Sequence, residues 1–116
     1  MSKRNKILLL EDMLESVLKI KNYTESLNFQ NFINDDKTMD AVIRNFEIIG
    51  EAANMLDFDF RMENQEVKWS RIRGLRNRIV HDYFGIDYQI VWDIIVIDLD
   101  ELCKQLENLL KKYKNK

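Results

Sequence analysis

Asp40-Ala41-Val42-Ile43-Arg44-Asn45-Phe46-Glu47-Ile48-Ile49-Gly50-Glu51-Ala52-Ala53-Asn54-Met55-Leu56 is the stretch on which the architecture turns. Val42, Phe46, Ile49, Ala53 and Leu56 recur at i, i+4 and i+7 spacing, which aligns them on one stripe of an α-helix and leaves charged residues on the other side. Asp35 or Asp36 can cap that helix, a carboxylate accepting from its free N–H groups. Gly50 interrupts good helix formers at about 1 kcal/mol relative to alanine, so close packing against a neighbouring helix is expected there.

Three further helices flank this one. The first runs from about Lys6 to Tyr23, with Ile7, Leu10, Leu14 and Val17 on one stripe and Leu9, Met13 and Ile20 beside it. Phe29 and Phe32 suggest a short helical turn in the Asn- and Asp-bearing segment that follows. Residues 57–67 are polar and aperiodic and read as a connection anchored by Phe58 and Phe60. A third, shorter helix carries Trp69, Ile72, Leu75, Ile79 and Val80 and ends near Gly85. Asp87 can cap a fourth helix with Ile90, Val91, Ile94, Ile95, Leu99, Leu102, Leu106 and Leu109 in its stripe. Val96 and Ile97 extend its apolar surface beyond one face, as in a helix covered on two sides. A homodimer would cover the second side, and a four-helix monomer with a generous core is the other reading.

Composition agrees. The chain has 116 residues, no proline and three glycines, which favours one all-α domain spanning 1–116, a four-helix up-and-down bundle with short extra helical turns. A net charge of −2 provides no global basic field for nucleic acid. A local one exists: Arg71, Arg73, Arg76 and Arg78, flanked by Lys68. The ordinary reading of such a run is a solvated face paired with acids. One cysteine, Cys103, and one histidine make neither an internal disulfide nor a metal cluster, so no metal and no cofactor is expected. The apolar run Ile7 to Leu10 is too short for a secretion signal or a membrane span, so a soluble, cytoplasmic protein is expected.

That histidine, His81, is the one side chain that titrates near neutral pH without help, and it sits in Arg76-Asn77-Arg78-Ile79-Val80-His81-Asp82-Tyr83. On a continuous helix Asn77 and His81 would lie about 40° apart, Arg76 and His81 about 140° apart, and Arg76 and Tyr83 nearly eclipsed. The residues therefore do not converge within one chain. A two-fold dimer with this helix near its axis would bring both copies to one cleft. RNA cleavage by internal attack of the 2′-hydroxyl needs one group to take a proton and another to give one, roles that His81 and its symmetry mate could share. Arginine donors would stabilise the phosphorane-like charge. Equally, a lone histidine near a helix end can be structural or merely solvated, and Tyr83 beside Phe84 can be an edge-of-core residue.

The same octapeptide resembles the Arg-x4-His-x-Tyr signature of the HEPN-domain ribonuclease toxins of the HepT group. The resemblance extends over Asp40 to Ala52, similar to that family's second-helix signature, and over Tyr83-Phe84-Gly85-Ile86-Asp87 with Val91-Trp92. The three blocks stand in the right order, and the resemblance covers nearly the whole chain. The resemblance implies a HEPN bundle, a homodimer and a metal-independent endoribonuclease site in the dimer cleft, with Arg76 and His81 catalytic. Asn77, Arg73 and Arg78 would support the site and contact RNA, whether tRNA or mRNA. It also implies a partner, a minimal nucleotidyltransferase antitoxin that silences the toxin by transferring AMP from ATP to Tyr83. A non-catalytic HEPN module serving that enzyme as substrate or scaffold remains the alternative. Glu47 and Glu51 are expected to pack against the third helix or to pair with its arginines.

Overall fold

The computed structural model describes residues 1–81 and 85–115. In chain order it comprises α1 (Lys3–Thr24), α2 (Phe29–Ile33), α3 (Asp36–Met55), α4 (Phe58–Glu63), α5 (Trp69–Arg73), α6 (Leu75–Ile79), β1 (Val80–His81), β2 (Gly85–Ile86), α7 (Tyr88–Asp93), a π-helical turn (Ile94–Asp98) and α8 (Leu99–Lys114). The architecture is the expected all-α, HEPN-like bundle. Among the described residues no helix is long and apolar enough to cross a membrane.

α3 forms as its spacing dictates. The Asp35 Oδ1 accepts the Thr38 N–H at 3.1 Å and its Oδ2 accepts the Thr38 hydroxyl at 2.6 Å. Those bonds cap the helix and hold the Asp35 carboxyl below its usual range, the hydroxyl bond contributing most. Val42, Phe46, Ile49, Ala53 and Leu56 are all buried. α1 starts one turn earlier than its apolar stripe suggests, because the Ser2 hydroxyl oxygen accepts the Asn5 N–H and caps it. Its Leu10, Met13, Val17 and Ile20 face the core, and the helix packs along both α3 and α8.

The close approach expected at Gly50 is present. This buried glycine lies under α5, and a Cβ built on it would come 3.5 Å from the Ile72 carbonyl oxygen. That is an ordinary van der Waals distance, so alanine fits without displacement. Gly50→Ala should therefore stabilise the protein by about 1 kcal/mol through helix propensity. The check is the urea midpoint at unchanged slope, and a lowered midpoint would contradict the estimate.

Two expectations need correction. The segment after Leu56 is not a plain connection. Asp57 caps α4 by accepting the Phe60 N–H at 2.8 Å, and only one of the two expected anchors is buried, Phe60, while Phe58 points outward. The segment is held by Asn64, which is fully buried. Its side-chain amide donates to the Phe60 carbonyl and the Tyr113 hydroxyl, both at 2.8 Å, its side-chain oxygen accepts from the Lys112 ammonium at 3.1 Å, and its main-chain carbonyl accepts from the Trp69 indole at 2.9 Å. Side chain and main chain of this one buried residue together tie α4 to α8 and to α5.

The second correction concerns the third helix. It is two single-turn helices broken at Gly74, and it ends at Ile79 rather than near Gly85. Val80 adopts extended backbone, φ −101° and ψ 124°, and the chain enters a minimal antiparallel ladder pairing Val80 with Ile86 and His81 with Gly85. The fourth helix does begin after an Asp87 cap, the Oδ1 accepting from the Gln89 and Ile90 N–H groups. It then widens into the π-helical turn before α8.

Candidate functional site

α5 and α6 form a cationic ridge seated on α3. From Lys68 to Arg78 the chain carries five cations and no acid. Trp69, Ile72, Leu75 and Ile79 are buried under it and fix its height over α3, with Phe46 beneath. Gly74 allows the break between the two turns, since its N–H still donates to the Ser70 carbonyl at 3.0 Å and a Cβ would crowd that same oxygen at 3.1 Å.

The break distributes the arginines over two sides. On the α3 side, Arg73 and Arg76 line a groove whose opposite wall bears Glu47, Glu51 and Asn54, with Phe46, Leu75 and Ile79 inside. The Arg73 Nε donates to the Asn54 side-chain oxygen at 2.7 Å, which ties the two walls together. On the other side, Arg71 and Arg78 approach one oxygen of Asp98 in the π-helical turn, at 3.5 and 3.7 Å. Arg76 and Arg78 are two residues apart on one turn of helix and so point about 200° apart. Of the sequence-derived set, Arg73 and Arg76 thus share a groove within one chain, and Arg78 does not join them. Asn77 is exposed beside Arg76 on α6.

Among the described residues the ion pair of Glu47 is with Arg44, one turn earlier on α3, at 3.7 Å and not with a third-helix arginine, so of the two expectations for it packing against that helix is the one that holds. Both Glu47 and Glu51 nevertheless face the groove that Arg76 enters, an acidic wall opposite a basic one. Such a groove can hold an arginine in place and can also repel a polyanion that seats on the wrong wall.

The backbone of His81 leaves α6 through β1, immediately beyond the Val80 that lines the far end of the groove. Its strand position opposite Gly85 replaces the helical position expected from the sequence, so the Asn77–His81 face relationship does not hold. The Asp87 N–H donates to the Ile79 carbonyl at 2.7 Å next to the Val80–Ile86 pair. Gly85 has φ +76°, and a Cβ there would meet nothing within 4 Å, so the backbone angle alone reserves the position for glycine. Tyr83, the expected modification site, lies outside the described residues, as does Asp82. The expected placement of Glu47 and Glu51 against the third helix holds; what their spacing could not show is that both stand opposite Arg76 in one groove.

A family model described as Ribonuclease HepT-like matches residues 13–109. A protein of Methanocaldococcus jannaschii named provisionally as an RNase is 38% identical over 111 residues, covering 96% of this chain and 92% of its own. A second from that organism, likewise named, is 41% identical over 107 residues, with coverage of 92% and 98%. A protein of Thermococcus cleftensis named provisionally as ribonuclease HepT is 36% identical over 102 residues, covering 88% of this chain and 93% of its own. No solved structure matches the chain.

Proposed function

This chain belongs to the HepT-like ribonuclease family, and from that premise we propose that it is the toxin of a toxin–antitoxin pair, a cytoplasmic homodimer that cuts RNA without a metal ion. The observation that carries the proposal is the groove holding Arg73 and Arg76 beside the ladder that leads into His81.

In the proposed reaction the RNA 2′-hydroxyl oxygen attacks the adjacent phosphorus and the 5′-oxygen of the next nucleotide leaves. One imidazole takes the 2′-hydroxyl proton, and a second donates a proton to the departing 5′-oxygen. His81 and the same residue of a second copy fill these two roles. Arg76 donates paired N–H groups to the non-bridging oxygens as charge gathers on phosphorus. Arg73 and Asn77 hold flanking phosphates, and Arg78 contributes from its own side of the ridge.

Dimerisation is part of the proposal because one chain contains a single histidine. The surface that favours it is the π-helical turn, where Val96 and Ile97 are 57% and 70% exposed and Ile97 lies beside Arg71, Arg78, Asp93 and Asp98. Silencing is proposed at Tyr83: its hydroxyl attacks the α-phosphorus of ATP on a nucleotidyltransferase partner, pyrophosphate leaves, and AMP remains. The added phosphate would pair with the groove arginines and obstruct RNA by bulk and charge.

Two measurements test this reading. Purified protein incubated with total RNA in EDTA should yield fragments ending in 2′,3′-cyclic phosphate. After co-expression with a nucleotidyltransferase encoded beside it, intact-mass spectrometry should find an AMP adduct that disappears in Tyr83→Phe and coincides with loss of cleavage. An adduct that survives Tyr83→Phe places the modification elsewhere, and intact RNA in the first assay removes metal-independent cleavage.

A further inference from the structure

The charge of the chain is segregated on either side of the groove. Against the five cations of Lys68 to Arg78 stands the segment Glu47 to Glu66, with six carboxylates and the single cation Arg61. The Arg61 Nε is itself buried without a hydrogen-bond partner among the described residues. Within this acidic segment Met55, Phe58 and Met62 are 64%, 63% and 46% exposed, at i, i+3 and i+7 across the corner from α3 to α4.

The corner is not loose. Leu56 and Phe60, which alternate with the exposed residues, are buried. The Asp57 Oδ1 caps α4, and its Oδ2 lies 3.5 Å from the amino terminus of Met1. The apolar side chains are therefore displayed by a fixed backbone. Carboxylates of Glu51, Asp59 and Glu63 are exposed around them. Glu51 and Met55 are four residues apart on α3 and share a face. Two thioethers and a phenyl ring make an adaptable apolar surface, and an acidic rim gives it a sign.

We propose that Met55, Phe58 and Met62 form a docking surface for a protein partner that presents a basic amphipathic helix, with apolar anchors on one face and Lys or Arg beside them. Charge complementarity selects this occupant: the Met1 terminus and Lys6 offset Asp57, but the exposed Glu51, Asp59 and Glu63 leave the rim acidic, so it repels RNA and a second copy of the same corner. The surface also borders the groove, since Asn54, next to Met55, accepts from Arg73, and Glu51 lines the wall opposite Arg76. A helix seated on Met55 overhangs the groove and excludes RNA. Docking stands on the surface alone, whereas this inhibitory consequence rests on the proposed RNA-cutting function.

The test uses the whole chain labelled at its methionine methyl groups, of which there are five. The probe is a synthetic amphipathic helix of about 18 residues built from leucine and lysine, compared with a scrambled peptide of the same composition. The Met55 and Met62 signals should shift saturably with the helix and not with the scramble. Those of buried Met13 and Met39 should stay, which also certifies the fold of every variant. Phe58→Asp should weaken binding at least about tenfold, and Glu63→Lys should weaken it further at low salt. Unmoved Met55 and Met62 signals, equal binding of the scramble, or unchanged affinity in Phe58→Asp overturns the proposal. Movement of those signals by a single-stranded RNA instead assigns the surface to nucleic acid. Loss of docking with RNA cleavage intact, or the reverse, separates this surface from the groove.

Discussion

His81→Ala and Arg76→Ala are each expected to lower the rate of RNA cleavage by about 10²–10⁴-fold. The estimate for His81 follows from proton transfer. Without an imidazole on either chain, neither the 2′-hydroxyl nor the leaving 5′-oxygen has a group that exchanges protons near neutral pH. That for Arg76 follows from charge: removing the donor leaves developing negative charge to water alone. Arg76 lies exposed at the groove, while the core beneath it is built from Leu75, Ile79 and Phe46, so alanine there should leave the fold intact. Arg78→Ala is the informative control. Its guanidinium approaches Asp98 on the other side of the ridge, so its loss should act less on the chemical step than on assembly. Single-turnover cleavage of a labelled tRNA in EDTA, with helical circular dichroism recorded for each variant, measures all three. Wild-type rates in the two alanine variants would remove both residues from the chemistry.

Much of the fold was legible because α1, α3 and α8 are long enough for period 3.6 to show: the α3 stripe is buried throughout, whereas Ile7 and Leu14 of the first stripe and Leu102 of the last are half-buried and Met13 and Ile20 take the core instead. The third helix misled because its apolar residues keep helical spacing across a break. Ile72, Leu75 and Ile79 are all buried although Gly74 separates the turns, because their helical spacing keeps them over the same floor on either side of the break. Its end was hidden for another reason. Ile79 and Val80 are β-branched and suit extended backbone, yet a ladder of two residue pairs is too short to show alternation. α4 is held by Asn64, whose partners Trp69 and Tyr113 are separated in sequence, and no local pattern encodes such a hub. For the site, residue types were legible and sides were not. A run of alternating arginines reads as one patch, but on a helix neighbours two apart face opposite ways, and only Arg73 and Arg76 meet in the α3 groove.

Ile97→Asp should convert the proposed dimer to monomer and abolish cleavage together. Ile97 is the most exposed large apolar side chain among the described residues, with Val96 beside it. The π-helical turn sets it next to Arg71, Arg78, Asp93 and Asp98, so one patch contains apolar surface, cations and acids. A two-fold axis through such a patch is self-complementary: apolar side chains meet at the centre, and the arginines of one copy face the carboxylates of the other. The long approaches of Arg71 and Arg78 to one Asp98 oxygen leave donors for those partners. The same axis draws together the two α6 segments, because Arg78 lies on α6, and each α6 leads directly into its His81. An aspartate at position 97 would put an unpaired charge at the apolar centre beside Asp93 and Asp98. At about 2 kcal/mol or more for a buried interface anchor, self-association should weaken about 30-fold or more. Ile97→Leu should change little. Sedimentation read beside the cleavage assay carries the argument: a monomer that cuts RNA at the wild-type rate would show that one chain suffices, and a cleaving Ile97→Asp dimer would move the interface off the π-helical turn.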